Sequence, residues 1–237
     1  MTRNSLKESF KTYLGLSAKF LLMNFYYRIE KFVILVAKEY DKEGKKILDV
    51  GAGNSPYKKY FIKINYFTQD IKQNKNIDYI NDLNNGLPTI DNASFDYILC
   101  TQVIEHLKEP LKLFQEFYRI LKPGGKVFLT TNFIYQLHLV PDDYYRFTEF
   151  GLKYLGESNG FVVEHLKPQG GIFSVISYVF ATLPIRLFLK RSKTLYYLYL
   201  ILFSIPIILM NLTACVLDFL DRNKEMTINY EVIYRKI

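Results

Sequence analysis

From about residue 17 to residue 40 the apolar residues Phe20, Leu21, Phe25, Ile29, Phe32, Val33 and Val36 recur at steps of three and four, with Lys19, Arg28, Glu30 and Lys31 between them. That spacing gathers the apolar side chains on one face and predicts an amphipathic helix. The polar stretch Asp41-Lys42-Glu43-Gly44-Lys45-Lys46 interrupts it. The short apolar run Ile47-Leu48-Asp49-Val50 then ends at Gly51, the pattern of a strand entering a tight turn. Further short strands are predicted at 66–68, 77–80, 95–99, 126–131 and 161–166, with helices at 110–121 and 148–158. Pro123-Gly124-Gly125 stops the first of these helices and turns the chain into the fifth strand. Strands alternating with helices imply an α/β fold, a parallel sheet with both faces covered. Residues 227–234 alternate well enough for a last strand.

Ahead of that last strand the pattern changes. Pro168 to Ile185 is an 18-residue run without a formal charge, Thr194 to Leu217 is another of 24, and Arg186, Lys190, Arg191 and Lys193 lie between them. The chain therefore divides into an amphipathic helical segment (1–46), an α/β core (47–171), an apolar helical insertion (172–220) and a closing strand (221–237).

With 237 residues and 49% hydrophobic content the chain has the length and composition of one folded domain with embellishments. Cys100 and Cys215 lie far apart, outside any CxxC or Cys/His cluster, so neither a disulfide framework nor a zinc site is expected. The opening residues lack a continuous apolar segment with a small-residue cleavage site, so a cytoplasmic catalytic part is expected. The net charge of +8 is unevenly spread: Lys and Arg exceed Asp and Glu by five in 1–46 and by four in 172–237, while 47–171 carries one more acid than base. Basic flanks around a neutral core point to an anionic surface, either membrane or nucleic acid.

The candidate chemistry begins at the end of the first strand, where an open α/β sheet places its ligand. Asp49-Val50-Gly51-Ala52-Gly53 supplies a GxG there, and Pro56 stands where the dinucleotide fingerprint needs a third glycine, which disfavours a nicotinamide cofactor. Asp70, at the end of the second strand and 19 residues after Gly51, can accept hydrogen bonds from both hydroxyls of a ribose or be an ordinary solvated strand-end carboxylate. Asp82-Leu83, after the third strand, can serve an adenine or simply form a loop. His106 is expected to start the helix after the fourth strand, with its ring on the pocket or in a cap. His138 and Asp142-Asp143-Tyr144-Tyr145-Arg146 follow the fifth strand in a loop; Arg146 suits an anionic or hydroxyl-rich group, or pairs with Asp142 or Asp143. His165 has no evident role, and no carboxylate/His cluster stands out in the cofactor region to suggest a metal.

Taken in order, ILDVGAGNSPY, YFTQDI, NDLNNGLP, SFDYILCTQVIEHL, LFQEFYRILKPGGKVFLTT and DDYYRFTEFGL resemble the class I S-adenosylmethionine-dependent methyltransferases, specifically the methyltransferase type 11 group, over residues 47–161. The resemblance implies a Rossmann-like sheet of order 3-2-1-4-5-7-6 with the last strand antiparallel, and S-adenosyl-L-methionine as cofactor. It implies that Asp49, Gly51, Ala52 and Gly53 hold the methionyl end, Asp70 with Ile71 the ribose, and Asp82 with Leu83 the adenine, with Thr101 and Gln102 flanking the sulfonium. His106, His138 and Arg146 are the candidate catalytic residues.

In such a sheet the chain between the last two strands begins and ends on one side, so the apolar insertion crosses a membrane twice or not at all. Two crossings would place the basic quartet outside, against the bias that keeps Lys and Arg in cytoplasmic loops. Helices lying in the cytoplasmic leaflet are therefore expected, with Phe173, Tyr178, Phe188, Tyr196, Tyr197 and Tyr199 at headgroup level and the basic quartet on anionic lipid. The acceptor expected on this ground is a lipid or lipid-linked saccharide. A soluble sugar or metabolite, with the insertion as lid or dimer interface, is the alternative. Nucleic acid is disfavoured, because Thr101-Gln102-Val103-Ile104 lacks an Asn/Asp-Pro-Pro-Tyr motif. A non-catalytic scaffold is disfavoured by the presence of Asp49, Gly51, Gly53 and Asp70 together.

Overall fold

The computed structural model describes residues 24–184, 186–187 and 192–237, apart from the side chains of Asn24, Lys193, Tyr196, Tyr197 and Leu200. Phe20 and Leu21 of the predicted first helix, and Phe188, Lys190 and Arg191 of the predicted membrane face, lie outside the described residues. The described chain forms two compact units, residues 29–168 with 229–237 and residues 169–228 with 24–28.

The first unit is built on a seven-stranded sheet. Its elements are α1 (Asn24–Tyr40), β1 (Lys46–Val50), β2 (Asn65–Asp70), β3 (Tyr79–Ile80), β4 (Phe95–Thr101), α2 (Pro110–Ile120), β5 (Leu121–Asn132), α3 (Glu149–Glu157), β6 (Phe161–Gln169) and β7 (Asn229–Lys236). The strand order is β3-β2-β1-β4-β5-β7-β6. β1 pairs in parallel with β2 and β4, β4 with β5, and β7 runs antiparallel to β5. This is the order and direction expected from the sequence.

Both sheet faces are covered by apolar side chains in the helical and alternating positions of the sequence pattern. Phe32, Val33, Val36 and Ala37 of α1 pack with Ile47, Leu99 and Phe128, while Leu113, Phe114 and Phe117 of α2 pack with Leu48, Ile98 and Val127. The helix α2 begins with Pro110 in its first turn, where the missing N–H costs nothing. The strand β5 starts five residues ahead of Lys126 and takes in the Pro-Gly-Gly turn: Leu121 pairs with Phe95, and Lys126 next pairs with Tyr97. The glycine turn is thus an irregularity inside the strand rather than a loop ahead of it. The predicted third strand shrinks to Tyr79–Ile80, because Asp78 is used locally, accepting hydrogen bonds from the N–H and hydroxyl of Thr68.

The second unit is a helical pair, α4 (Ile172–Pro184) and α5 (Lys193–Leu217). Few of its side chains are polar, and three buried ones, Ser174, Ser177 and Asn211, take part in hydrogen bonds between the two helical segments. Ser177 Oγ donates to Asn211 Oδ1 at 2.7 Å, and Asp218, just past α5, accepts from the N–H and hydroxyl of Ser174 at 3.2 and 2.5 Å. Such pairs fix the register of a surface that apolar packing alone would leave free to slide. Counting described residues, no helix is long and apolar enough to cross a membrane.

Candidate active site

The carboxyl ends of β1, β2 and β3 are drawn together by main-chain and buried side-chain hydrogen bonds. Gly51 has φ of +69°, and a Cβ there would stand 2.5 Å from Cγ2 of Val103, so both the backbone and the neighbouring side chain demand glycine. Gly53 has φ of +56° but faces open space, with nothing within 4 Å of a Cβ. The Ala52 N–H donates to the Gln69 carbonyl at 2.9 Å and the Gly51 N–H to Gln69 Oε1 at 3.3 Å. The Gln69 amide nitrogen donates in turn to the Asn81 carbonyl at 2.7 Å. This buried glutamine fastens the glycine loop to both neighbouring strands. The sequence reading missed it, and the only signal was a polar residue inside the apolar β2.

Asp70 lies where the sequence placed it. Its Oδ2 accepts from the Gly53 N–H at 2.8 Å and its Oδ1 from the Lys72 N–H at 3.1 Å. Ile71 follows it with its side chain exposed. Asp49 is 2% exposed, and Tyr66 donates to its Oδ2. Burial pushes the Asp49 carboxyl up to about 7; the Tyr66 hydrogen bond opposes that rise and the nearby Asp70 charge adds to it. Asp82 caps the short turn Leu83–Asn85, accepting from the Asn84 N–H at 2.9 Å, and the Leu83 side chain belongs to the core.

Beyond β4 the chain does not enter a helix at His106. It forms one tight turn, Ile104–His106, and the helix starts at Pro110, so His106 ends that turn rather than starting the helix. Thr101 is the last residue of β4, and Gln102 adopts φ of +57°. The Gln102 side chain turns toward the neighbouring strands, donating to Thr130 Oγ1 at 3.0 Å and Asn229 Oδ1 at 2.9 Å.

Residues distant in sequence then converge. His106 Nε2 and His138 Nε2 are 3.1 Å apart. The wholly buried Glu105 accepts from Thr131 Oγ1 at 2.9 Å and from the Asn132 amide at 2.8 Å. Burial raises the Glu105 carboxyl above its ordinary range and lowers His138 below its own. Arg146 pairs with Asp143 rather than Asp142, through two parallel hydrogen bonds of 2.7 and 2.8 Å. That pairing holds the Asp143 carboxyl well below the usual carboxylate range. Asp143 Oδ2 also accepts from the His138 N–H at 2.9 Å, so Arg146 organises the loop that carries His138. His165 pairs with Glu231 at 2.8 Å, on the sheet and away from this cluster. Outside the glycine-loop region, Glu105, His106 and His138 offer ligand atoms within 4.8 Å of one another, a grouping the sequence did not suggest. The 32 residues separating the two histidines hid the grouping.

A family model described as a methyltransferase domain matches residues 23–177. The chain belongs to this family. The match makes it a methyltransferase-domain protein, and its sheet has the order and strand directions of the Rossmann-like class I methyltransferase fold. The methyltransferase is similar to a tRNA U34 carboxymethyltransferase of Campylobacter curvus, 30% identical over 116 residues, which cover 42% of this chain and 39% of that protein. It is also similar to a ubiquinone biosynthesis O-methyltransferase of Xanthomonas oryzae, 26% identical over 111 residues, 40% of this chain and 46% of that protein. The methyltransferase thus spans less than half the length of these curated relatives. Among solved structures, a putative sarcosine dimethylglycine methyltransferase from Galdieria sulphuraria shares the fold, with a TM-score of 0.59 at 18% identity over 89% of this chain and 85% of that one.

Proposed function

We propose that this methyltransferase transfers a methyl group to a hydroxyl of a lipid or lipid-linked saccharide at the cytoplasmic face of a membrane. S-adenosylmethionine supplies a methyl group activated on a sulfonium. The residues assigned to its methionyl end are Asp49, Gly51, Ala52 and Gly53; to its ribose Asp70 and Ile71; to its adenine Asp82 and Leu83. Thr101 and the main chain of Gln102 border the sulfonium. The open space at Gly53 supports this assignment, as does Ser55 Oγ, a buried atom without a hydrogen-bond partner beside the glycine loop. The Asp70 carboxylate accepts one main-chain N–H on each oxygen, and its remaining lone pairs suit two ribose hydroxyls.

On the acceptor side, His106 and His138 present ring nitrogens to an incoming hydroxyl, and Arg146 with Asp143 holds the loop that brings His138 there. Methyl transfer is an in-line displacement, so orienting the hydroxyl and excluding water are the main tasks of these residues. The O-methyltransferases of ubiquinone biosynthesis among the relatives fit an oxygen acceptor.

The observation that carries the membrane address is the apolar surface of the helical pair. Val179, Phe180 and Leu183 of α4 are exposed, with Ile201, Leu202, Ile205, Leu209 and Val216 of α5, and Phe219 beyond it is 85% exposed. Soluble monomers rarely leave so many large apolar residues in water along one element. An open apolar cleft of about 500 Å³ between the helices, lined by Phe180, Pro184, Leu198, Tyr199 and Met210 among others, suits a hydrocarbon chain. Arg186 lies beside it, its guanidinium 5.2 Å from the Tyr178 ring. Liposome flotation tests this address: the protein rises with anionic vesicles, and Ile201→Asp with Ile205→Asp abolishes the rise. Protein that remains wholly at the bottom without detergent overturns the lipid acceptor.

A further inference from the structure

The two histidines face each other in a way that calls for a cation. His106 Nδ1 lies on the main-chain oxygen of Asp142, and His138 Nδ1 lies 3.3 Å from the Gln136 carbonyl and 3.4 Å from Asp143 Oδ2. Carbonyl and carboxylate oxygens only accept, so both Nδ1 atoms carry the proton and donate. A neutral ring protonated on Nδ1 holds a lone pair on Nε2. The two Nε2 lone pairs therefore oppose each other across 3.1 Å, beside the buried carboxylate of Glu105. Two lone pairs and a buried negative charge repel unless something positive lies between them.

The separation also has the right size. Two nitrogens that ligate one zinc ion at its usual bond length stand about 3.0 to 3.4 Å apart, depending on whether the geometry is octahedral or tetrahedral. Each ligand has the supporting partner that metal sites use to fix orientation: a carbonyl on His106 Nδ1, a carbonyl and a carboxylate on His138 Nδ1, and Thr131 with Asn132 on Glu105. The Asn132 amide is also 3.5 Å from His138 Nε2, too distant to satisfy that lone pair as well as its 2.8 Å bond satisfies Glu105. Both histidines are only half-buried, so solvent or an acceptor can reach the point between them.

We propose that Glu105, His106 and His138 bind one divalent transition-metal ion, zinc by its preference for a mixed nitrogen and carboxylate set, with open positions that take water or the acceptor hydroxyl. The metal-binding claim stands on the ligand geometry alone, whereas the role of the open positions rests on reading this cleft as the acceptor side. Two imidazoles and one carboxylate favour zinc or its first-row neighbours over magnesium, which prefers oxygen ligands. Coordination would fix the hydroxyl's orientation without adding any covalent step.

The test uses the full-length protein, stripped with chelator and titrated with zinc by calorimetry and with cobalt by visible absorption. The expected result is one equivalent of zinc and a cobalt spectrum of nitrogen- and oxygen-ligated ion. His138→Ala and His106→Ala each weaken zinc binding at least tenfold, and His165→Ala leaves it unchanged. S-adenosylhomocysteine binding is measured on the same samples, with circular dichroism to confirm folding. Folded wild type that binds S-adenosylhomocysteine but no zinc overturns the metal site and leaves the methyltransferase reading intact; a proton shared by the two histidines then fills the gap. Zinc uptake that survives loss of both histidines overturns the ligand set. Zinc binding without any S-adenosylhomocysteine binding upholds the metal site and removes its assigned role in methyl transfer.

Discussion

The Tyr66 hydroxyl donates a 2.6 Å hydrogen bond to Oδ2 of Asp49, joining β2 to the buried carboxyl two residues before the glycine loop. Burial outweighs that bond and raises the Asp49 carboxyl from 3.8 to about 7. Because the folded-state value is raised, the native protein keeps a proton that the unfolded chain releases near 3.8. Asp49 thus costs stability progressively as pH climbs from about 4 to about 7, and the full cost, on the order of 4 kcal/mol for a shift of that size, is present above it. Asp49→Asn should therefore gain stability relative to wild type between pH 5 and pH 8, read by denaturant unfolding at each pH. Parallel pH dependences for the two proteins would rule out Asp49 as the titrating group.

The two loop glycines should answer differently to the same substitution. Gly51→Ala brings a methyl group against Val103 on top of a left-handed backbone, whereas Gly53→Ala meets only the backbone penalty, about 1 kcal/mol. Thermal unfolding should place Gly51→Ala well below Gly53→Ala. Equal losses would mean that Val103 yields freely.

Asp70→Ala removes charge-assisted hydrogen bonds worth roughly 1.5 to 3 kcal/mol, so S-adenosylhomocysteine should bind about 10- to 150-fold more weakly. It also frees the Gly53 N–H, so the melting temperature should fall slightly. Calorimetry that returns wild-type affinity would move the ribose site elsewhere.

Arg146→Ala should slow methyl transfer while leaving S-adenosylhomocysteine affinity unchanged, because it loosens the loop that carries His138 and touches nothing in the glycine loop. Arg146→Lys should recover only part of the rate, since an ammonium cannot reproduce the two parallel bonds to Asp143. The Asp143 carboxyl lies below its ordinary value, so the pairing is intact above about pH 4 and is lost as pH falls through the folded-state value. A weakened S-adenosylhomocysteine affinity in Arg146→Ala would place this arginine in the cofactor site instead.

The parts of this molecule that were legible in the sequence are those set by local periodicity and by turn chemistry. Ile47 to Gly51 announces a strand and a turn, and Pro110 and the Pro123-Gly124-Gly125 turn mark where a helix begins and ends. The strand order came from the resemblance of the ordered motifs, not from the periodicity. What the sequence hid depends on distance. Gln69 looks like any polar residue until the strand ends meet, and its bonds to Gly51 and Asn81 exist only in the folded sheet. His106 was expected to start the helix after the fourth strand, yet the tight turn at Ile104–His106 comes first and brings its ring to His138. The Gln102 side chain's partners Thr130 on β5 and Asn229 on β7 were likewise invisible before the strands met.

The most direct measurement is the fate of the methyl group. Purified protein is incubated with methyl-labelled S-adenosylmethionine and native membranes or cytosol, with Asp70→Ala as control, and the label is partitioned between organic, aqueous and protein fractions. The account predicts label in the organic fraction of the membrane incubation with wild type and little with Asp70→Ala. Label confined to the aqueous or protein fractions would contradict the lipid-linked acceptor.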